Sequence, residues 1–581
     1  MDITIVSAPK SGLWRVFCTE LGLESRTLDP AKLTDEVLVE TRLLILPGVF
    51  SLPPGSVAKL SAFVEGGGRL LVTDRLPAGV ADLLGIEEIG RLTSRNWLLP
   101  VFNRYRRHGA GLDGMPETTP IVFETADAAL FRLFGEGTVV ATWGLDDADL
   151  GIPAIARTKT GVFISLMWGN GATDEQLQLA ESILCELLPE TKATRAARAA
   201  AREKDEAERL AAVKVPPPAP GERRGFWGNG LPRFFRNGPG WEKAVALAAD
   251  CGITDIYPIM TWGGASYYPS KVVEESSVSK RLGDQLAECL AACRRHGVRL
   301  HARRICHRID PAMVPDAVRD KFIAEGRVQI SANGEKAMWL CPTDPRNREM
   351  EVASCVEMAK RGVDGINLDF IRYDHGRFCC CEGCRTRFAM KHGIIKPRWP
   401  DDVVPGGRYV EEWRAFRIAE ITATVKAIRE ALRREAPKVE LSACAFSYFF
   451  CGDEKMDPPD DPNFLHDHIA QDWVRWVREG IVDYVLPMNY QSDSKKFAYF
   501  IDEQVGVLKG DTDKYLCGIG VRNQPLAGSR ALAIRMLEQV AAVREREKTG
   551  FVFFTLDPRA ESALPLVATA LKQGQEWVLG S

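Results

Sequence analysis

The chain has 581 residues, with 75 Lys and Arg against 78 Asp and Glu, 45% hydrophobic and 26% charged residues. The formal net charge of −3 argues against a generally basic nucleic-acid binder, whose phosphate contacts need a clustered excess of Lys and Arg. Apolar runs such as Leu43 to Pro47 and Phe551 to Leu556 fall far below the ~20 residues that cross a bilayer. The opening MDITIVSAPKSG alternates like a strand and lacks the basic start and apolar run of a secretory signal. The expectation is a cytoplasmic protein with neither nucleic acid nor membrane as partner. Fifteen cysteines, thirteen of them between Cys251 and Cys517, do not form a dense disulfide framework, so most are expected as reduced thiols.

In chain order, ITIVS, RLLILPG at 42–48 and RLLVTD at 69–74 are short strand-like runs bounded by Gly and Pro, separated by helix-like segments such as SVAKLSAFVEGGG. This pattern predicts a doubly wound α/β domain over residues 1–190. The strand, LPG turn, helix, strand order resembles the flavodoxin-like, glutamine-amidotransferase-like domains attached to some glycoside hydrolases. In the catalytic members a Cys nucleophile follows the strand equivalent to RLLVTD. Here the turn reads Thr73, Asp74, Arg75, Leu76, so the domain is expected to be non-catalytic and to aid oligomerisation or shape a groove. GVFISLMWGNG is expected to be a late strand and turn with a packing role.

Residues 191–223 form a linker. TKATRAARAAAREKDEAERLAAV consists of strong helix formers without a persistent apolar face, and it runs into a stiff VPPPAP spacer. Beyond it, eight candidate strands alternate with amphipathic helices: 225–230, 253–260, 298–305, 363–371, 439–446, 482–490, 515–521 and 550–556. Their nearly continuous apolarity suits parallel strands buried on both faces. Residues 224–581 are therefore predicted to form a (β/α)8 TIM barrel.

In such a barrel the active site lies at the carboxyl ends of the strands. The fourth strand, VDGINLDFIRYDHG, places Asn367, Asp369, Ile371 and Tyr373 on one face by the period of two, with Arg372 adjacent. Asp369 reads either as a desolvated functional carboxylate or as a structural acid held by backbone donors and Arg372. DGINLDFIRY followed by FCCCEGCRTRF resembles the glycosyl-hydrolase-like 10 group of barrel proteins. The resemblance spans roughly residues 222–560 and extends to RGFWGNG, YYPSK, LHAR, WLCPTDPRNREM, QDWVRWVREGIVDYVLPMNY and GFVFFTLD. It implies cleavage of glycosidic bonds in a polysaccharide or oligosaccharide, with a non-catalytic carbohydrate-binding barrel as the alternative.

Glycoside hydrolysis by the usual route needs two carboxyl groups. Asp369 is the first. Asp472, beside Trp473, is the leading partner and Asp493 the next, ahead of Glu454; Asp453 and Asp557 also lie near strand ends. Each reads equally as a loop acid, and Asp472 as a cap for the helix beginning at Trp473. Asn489 and Tyr490 can bond sugar hydroxyls, as can His301, Arg303 and Arg304, although the Arg pair also reads as a neutraliser of barrel acids. Trp227, Trp262, Tyr267, Tyr268, Trp339 and Trp473 offer flat rings for sugar faces or fill the core. Together Trp227, Trp262, His301, Arg303, Arg372, Tyr373, Trp473, Asn489 and Tyr490 make up the expected substrate-binding set.

Cys379, Cys381 and Cys384 have a C-x-C-x-x-C spacing that can place three thiolates around one tetrahedral ion. Cys341 is the chosen fourth ligand and Cys306 the reserve. Family 42 glycoside hydrolases carry a similar segment holding structural zinc, which implies a zinc ion pinning the loop after the fourth strand; plain thiols or a disulfide remain the alternative. No organic cofactor is expected.

Overall fold

A computed structural model describes residues 2–8, 11–49, 51–94, 100–121, 126–167, 171–228, 240–447, 465–522, 524–546 and 549–575. In the N-terminal region, strands Ser25–Leu28, Ile3–Val6, Leu43–Pro47, Arg69–Thr73 and Gly161–Ile164 lie side by side and parallel, in that spatial order. The sheet continues antiparallel through Ala148–Thr158, Gly137–Leu145, Arg104–Arg107 and Thr118–Pro120. Period-two alternation divides its apolar side chains between two cores. Ile3, Ile5, Leu43, Ile45 and Leu71 pack with Trp14 and Phe17 of helix Ser11–Glu20. Leu44, Leu46, Leu70 and Val72 pack with Leu60 and Phe63 of helix Ser56–Glu65 on the opposite face. Helices on both faces of the parallel half of this mixed sheet are what its buried inner strands require.

At the turn after Arg69–Thr73 stands Asp74, with a positive φ of 66°. Its carboxylate accepts hydrogen bonds from Met167 N at 2.9 Å and Thr73 Oγ1 at 2.6 Å. The side chain therefore ties two strand ends together.

Helix Arg195–Ala212 follows the sheet region. The proline segment beyond it is attached to the barrel: Val215 and Gln575 exchange backbone hydrogen bonds, and Gln575 Nε2 donates to Leu210 O at 2.7 Å. Farther along, Arg530 pairs with Glu203 at 2.8 Å and Ser529 N donates to Asp174 at 2.8 Å. The buried pair Arg544–Glu222, at 2.8 Å, fastens the entry to the first barrel strand.

Eight parallel strands then close on themselves: Arg223–Gly228, Asp255–Trp262, Arg299–Ile305, Gly365–Asp369, Glu440–Ala445, Tyr484–Asn489, Cys517–Gly520 and Gly550–Phe554. The first pairs with both the second and the eighth, which closes the barrel. Six of the eight fall within the runs expected from the sequence; the first begins two residues before its expected run and the second ends two residues beyond its own.

The barrel floor is a polar layer. Arg223 Nη2 reaches Asp255 at 2.8 Å, Tyr484 OH at 2.9 Å and Glu440 at 3.0 Å, while His301 Nε2 meets Asp255 at 2.9 Å. Burial works to raise Asp255, but the His301 hydrogen bond and the charges of Arg223 and Arg299 outweigh it and hold the carboxyl well below the usual range. Above this layer Trp227, Tyr257, Leu486, Leu516 and Val552 fill the interior. No helix among the described residues is long and apolar enough to cross a membrane.

Candidate active site

Above the packed interior, at the carboxyl ends of the strands, lies a cavity of about 410 Å³. The fourth strand brings Asp369 into its wall and the loop after the third strand brings Arg308 and Asp310. Trp262 closes the second strand, and Phe446, Met488, Tyr490 and Phe554 come from the ends of strands five, six and eight. This is the mouth at which a barrel presents its catalytic loops.

Asp369 is 7% exposed. Its Oδ1 accepts from Phe370 N at 2.8 Å and its Oδ2 from Arg303 Nη1 at 3.3 Å, while Arg303 Nη2 donates to Gly228 O at 3.0 Å. Burial pushes its pKa up, more strongly than Arg303, the Phe370 amide, Arg372 and Arg308 pull it down. Asp310 shares the cavity. Its Oδ2 accepts from Arg308 Nη2 at 2.7 Å and its Oδ1 from Ala312 N at 2.9 Å. The site thus holds one desolvated carboxyl group whose pKa burial raises and a second carboxyl group oriented by a guanidinium. Rings face them: Tyr490 and Phe554 stack at 4.8 Å, and Arg308 lies 5.0 Å from the Phe370 centroid and 5.9 Å from that of Trp262.

Residues 239–514 match the family model of glycosyl hydrolase-like 10. No curated protein matches the chain. Among solved structures the chain is similar to a beta-galactosidase from Rahnella sp. R3, with 14% identity over 62% of this chain and 58% of that one, at a TM-score of 0.43. A beta-galactosidase from the psychrophilic Marinomonas ef1 gives 12% identity over 60% and 59%, at 0.40. The exo-beta-1,4-mannosidase Op5Man5 from Opitutaceae bacterium strain TAV5 gives 12% over 61% and 57%, at 0.33. The chain spans less than two thirds of the length of each.

Asp369, Trp262, Arg372 and Tyr490 all line the cavity, and Arg303 holds Asp369 from behind. The remaining expected residues stand elsewhere, each for a local reason. Asp472 caps helix Trp473–Arg478, accepting from Arg475 N at 3.4 Å, and Asp493 caps helix Ser494–Leu508, accepting from Lys496 N at 2.8 Å. Asp557 likewise caps Pro558–Gln573. An acid just before a helix meets the orphan N–H groups of its first turn, and these three spend their side chains there. Asp453 and Glu454 lie outside the described residues.

His301 belongs to the floor layer, fully buried at the opposite end of its strand from the cavity. Arg304, next to Arg303, points the other way and pairs with Glu351 at 2.8 Å, because neighbouring strand residues face opposite sides. Asn489 is turned outward by the same rule and bonds Gln504 at 2.9 Å and Tyr515 OH at 3.1 Å. Trp227 is buried edge-on beneath Tyr490 at 6.2 Å, and Trp473 is fully buried in the core. The expected alternation from Asn367 to Tyr373 stops at Asp369. Phe370 takes a positive φ of 55°, and Tyr373 is turned into the protein under the Arg417 guanidinium at 4.5 Å.

Asp310 and Arg308 escaped the sequence reading. Their signal was an acid and a base in HRIDP, within five residues of the third strand's end.

The four cysteines do meet. Cys341, Cys379, Cys381 and Cys384 are buried, with all their sulfurs within 4.8 Å of one another. Cys341 Sγ lies 3.4 Å from Cys384 Sγ and 3.8 Å from Cys381 Sγ. Four sulfurs at ~2.3 Å from a tetrahedral ion are spaced ~3.8 Å apart, so the set fits a metal ion. Hydrogen bonds from the other three thiols lower Cys381, while burial raises Cys379 and Cys384.

Proposed function

We propose that the chain is a glycoside hydrolase acting at the barrel mouth, with Asp369 as proton donor and Asp310 as the second carboxyl group. The observation that carries this reading is the pairing of a buried Asp369, whose pKa burial raises, with an Arg-oriented Asp310 in one ring-lined cavity. Asp369 protonates the leaving glycosidic oxygen, so the bond to the anomeric carbon breaks without releasing an alkoxide. Asp310, oriented by its hydrogen bond from Arg308, stabilises the cationic sugar and either attacks it or takes a proton from the attacking water. Trp262, Tyr490 and Phe554 offer apolar faces to the sugar's C–H surfaces. The match of residues 239–514 to glycosyl hydrolase-like 10 supports the reading.

The test is release of reducing ends from a panel of polysaccharides and oligosaccharides by the purified chain, followed by Asp369→Asn and Asp310→Asn. Each variant should fold, keep its glycan affinity and lose turnover by ~10²–10⁴. Full turnover by Asp369→Asn would remove the assignment. Binding without turnover in the parent chain would favour a carbohydrate-binding barrel.

We also infer that the four-cysteine cluster holds a structural zinc ion. Cys379, Cys381 and Cys384 sit at the start of helix Glu382–His392, and Cys341 follows strand Lys336–Leu340. A bound ion would join the loop after the fourth barrel strand to the segment before helix Pro345–Lys360. A closed four-thiolate site leaves no open position for catalysis.

A further inference from the structure

Two cationic and two anionic side chains line the cavity. Arg308 and Arg372 line it and Arg303 stands behind, against Asp310 and Asp369. Arg303 is matched by Asp369 at 3.3 Å and Arg308 by Asp310 at 2.7 Å. Arg372 has no such match. Its Nη1 donates to the backbone carbonyls of Tyr373 at 2.9 Å and Asp374 at 3.0 Å. Among the described residues no carboxylate forms an ion pair with it and no protein acceptor takes the hydrogens of Nε or Nη2. The charged groups facing it are Asp369, Asp374 and Arg308.

The guanidinium is also fixed in place. It lies 4.7 Å from the Trp339 ring centroid, 4.9 Å from Phe446 and 5.2 Å from Phe370. Rings around a guanidinium bind the cation but leave its in-plane N–H donors to be satisfied by something else. Burial pushes Arg372 down to about 10, as expected for a charge withdrawn from water without a carboxylate in contact. A planar fork of free donors on an immobilised side chain matches a carboxylate or sulfate edge better than it matches single hydroxyls.

We propose that Arg372 is an anion subsite and that the glycan taken by this cavity carries an acidic group, a uronate-type carboxylate or a sulfate ester, on the sugar that meets the end of the fourth strand. The inference rests on the carbohydrate reading above and names the substrate class of that site. The acid group would sit in the plane of the guanidinium and supply the missing counter-ion. The sugar ring would lie against the adjoining aromatic wall, within reach of Asp369.

The experiment is isothermal titration calorimetry on the full chain with matched probes in low-salt buffer. The pairs are methyl β-D-glucuronide against methyl β-D-glucoside, and methyl β-D-galacturonide against methyl β-D-galactoside. Glucose 6-sulfate against glucose tests the tetrahedral anion. The acidic member of at least one pair should bind at least ~10-fold more tightly, with the preference shrinking as salt is added. A preference in the uronide pairs alone identifies a carboxylate, and one in the sulfate pair alone a sulfate ester. Arg372→Gln should reduce the preference to about twofold or less, and Arg372→Lys should keep part of it, since it retains the charge but loses the fork.

Equal affinity within every pair, no measurable binding of any acidic probe, or an unchanged preference in folded Arg372→Gln would each overturn the proposal. The unsubstituted chain decides alone if Arg372→Gln does not fold. Because binding is measured, this result separates from the hydrolase question. A chain that prefers acidic sugars and cleaves nothing keeps the subsite and loses the enzyme. A chain that cleaves neutral glycans without acidic preference does the reverse.

Discussion

Replacing Asp255 by Asn should make the barrel melt several degrees early. Asp255 is fully buried, and its Oδ1 lies 2.8 Å from Arg223, 2.8 Å from Arg299 and 2.9 Å from His301. Oδ2 accepts from Thr254 Oγ1 at 2.6 Å. Asn keeps the shape and one acceptor but leaves the cations of the floor under-compensated, and breaking a buried pair from one side costs about 3–5 kcal/mol. With an unfolding entropy of ~2.1 cal/mol/K per residue over roughly 350 barrel residues, that cost lowers Tm by about 4–7 °C.

The pH dependence has a definite sign. The folded pKa of Asp255 is depressed, so its stabilisation is complete above the unfolded value of ~3.9 and disappears as pH falls through the folded value. The gap in Tm between the parent chain and Asp255→Asn should therefore be constant near neutrality and narrow below pH ~4. Scanning calorimetry at several pH values checks both statements. A drop under ~1 °C, set against the several degrees worked out above, or a gap unchanged between neutral and strongly acidic pH, would refute the reasoning that the floor is an electrostatic layer.

For Asp369, burial raises the folded pKa, so the proton donor is lost only as pH rises through that elevated value. The pH–rate profile should show a basic limb above the ordinary carboxylate range, and Asp369→Asn should abolish it along with turnover. Above the unfolded pKa the ionising Asp369 lowers stability, so the Asn variant should gain relative to the parent chain as pH rises. Asp472→Ala and Asp493→Ala should each cost about 0.5–2 kcal/mol in urea unfolding as lost helix caps while leaving the rate constant unchanged; a hundredfold rate loss in either would return it to the catalytic centre. Elemental analysis should find about one zinc per chain, falling below about a tenth in Cys384→Ser, and chelation or acid should release it with a lowered Tm, because the ligands must be thiolates. A metal-free parent chain of undiminished Tm would count against the ion.

The barrel was legible because its signal is local. Each of the eight strands is a short apolar run between amphipathic helices, and burial on both faces imposes that pattern on every one. The cysteine segment was legible for a similar reason: C-x-C-x-x-C holds three sulfurs close through spacing alone, and Cys341 joined them from a separate strand. The place of Asp369 at the cavity was legible because strand polarity puts an acid that ends a strand at the carboxyl rim.

The carboxylate proposed as its partner was not legible in the same way. Asp472 stands beside a tryptophan in the sequence, yet its immediate neighbourhood is a helix start with unpaired N–H groups, and those take the side chain. Asp310 sits on a loop, where no period fixes the direction of a side chain, and only the folded rim brings it to the cavity of Asp369. The same holds along single strands. Alternation turns Arg303 and Arg304 to opposite sides although the two read as a pair in the sequence, and it fails beyond Asp369, where the left-handed turn at Phe370 sends Arg372 to the cavity and Tyr373 into the interior.

What the chain's order of residues determined by itself was therefore the set of elements and the end of the barrel at which the cavity opens, since both depend on periodicity and chain direction. Tertiary structure alone decided which charges meet. The Asp369–Arg303 pair joins two strands, and the meeting of that pair with the local Arg308–Asp310 pair and with Arg372 at one cavity is set by barrel closure and loop path, neither of which leaves a repeating trace in sequence.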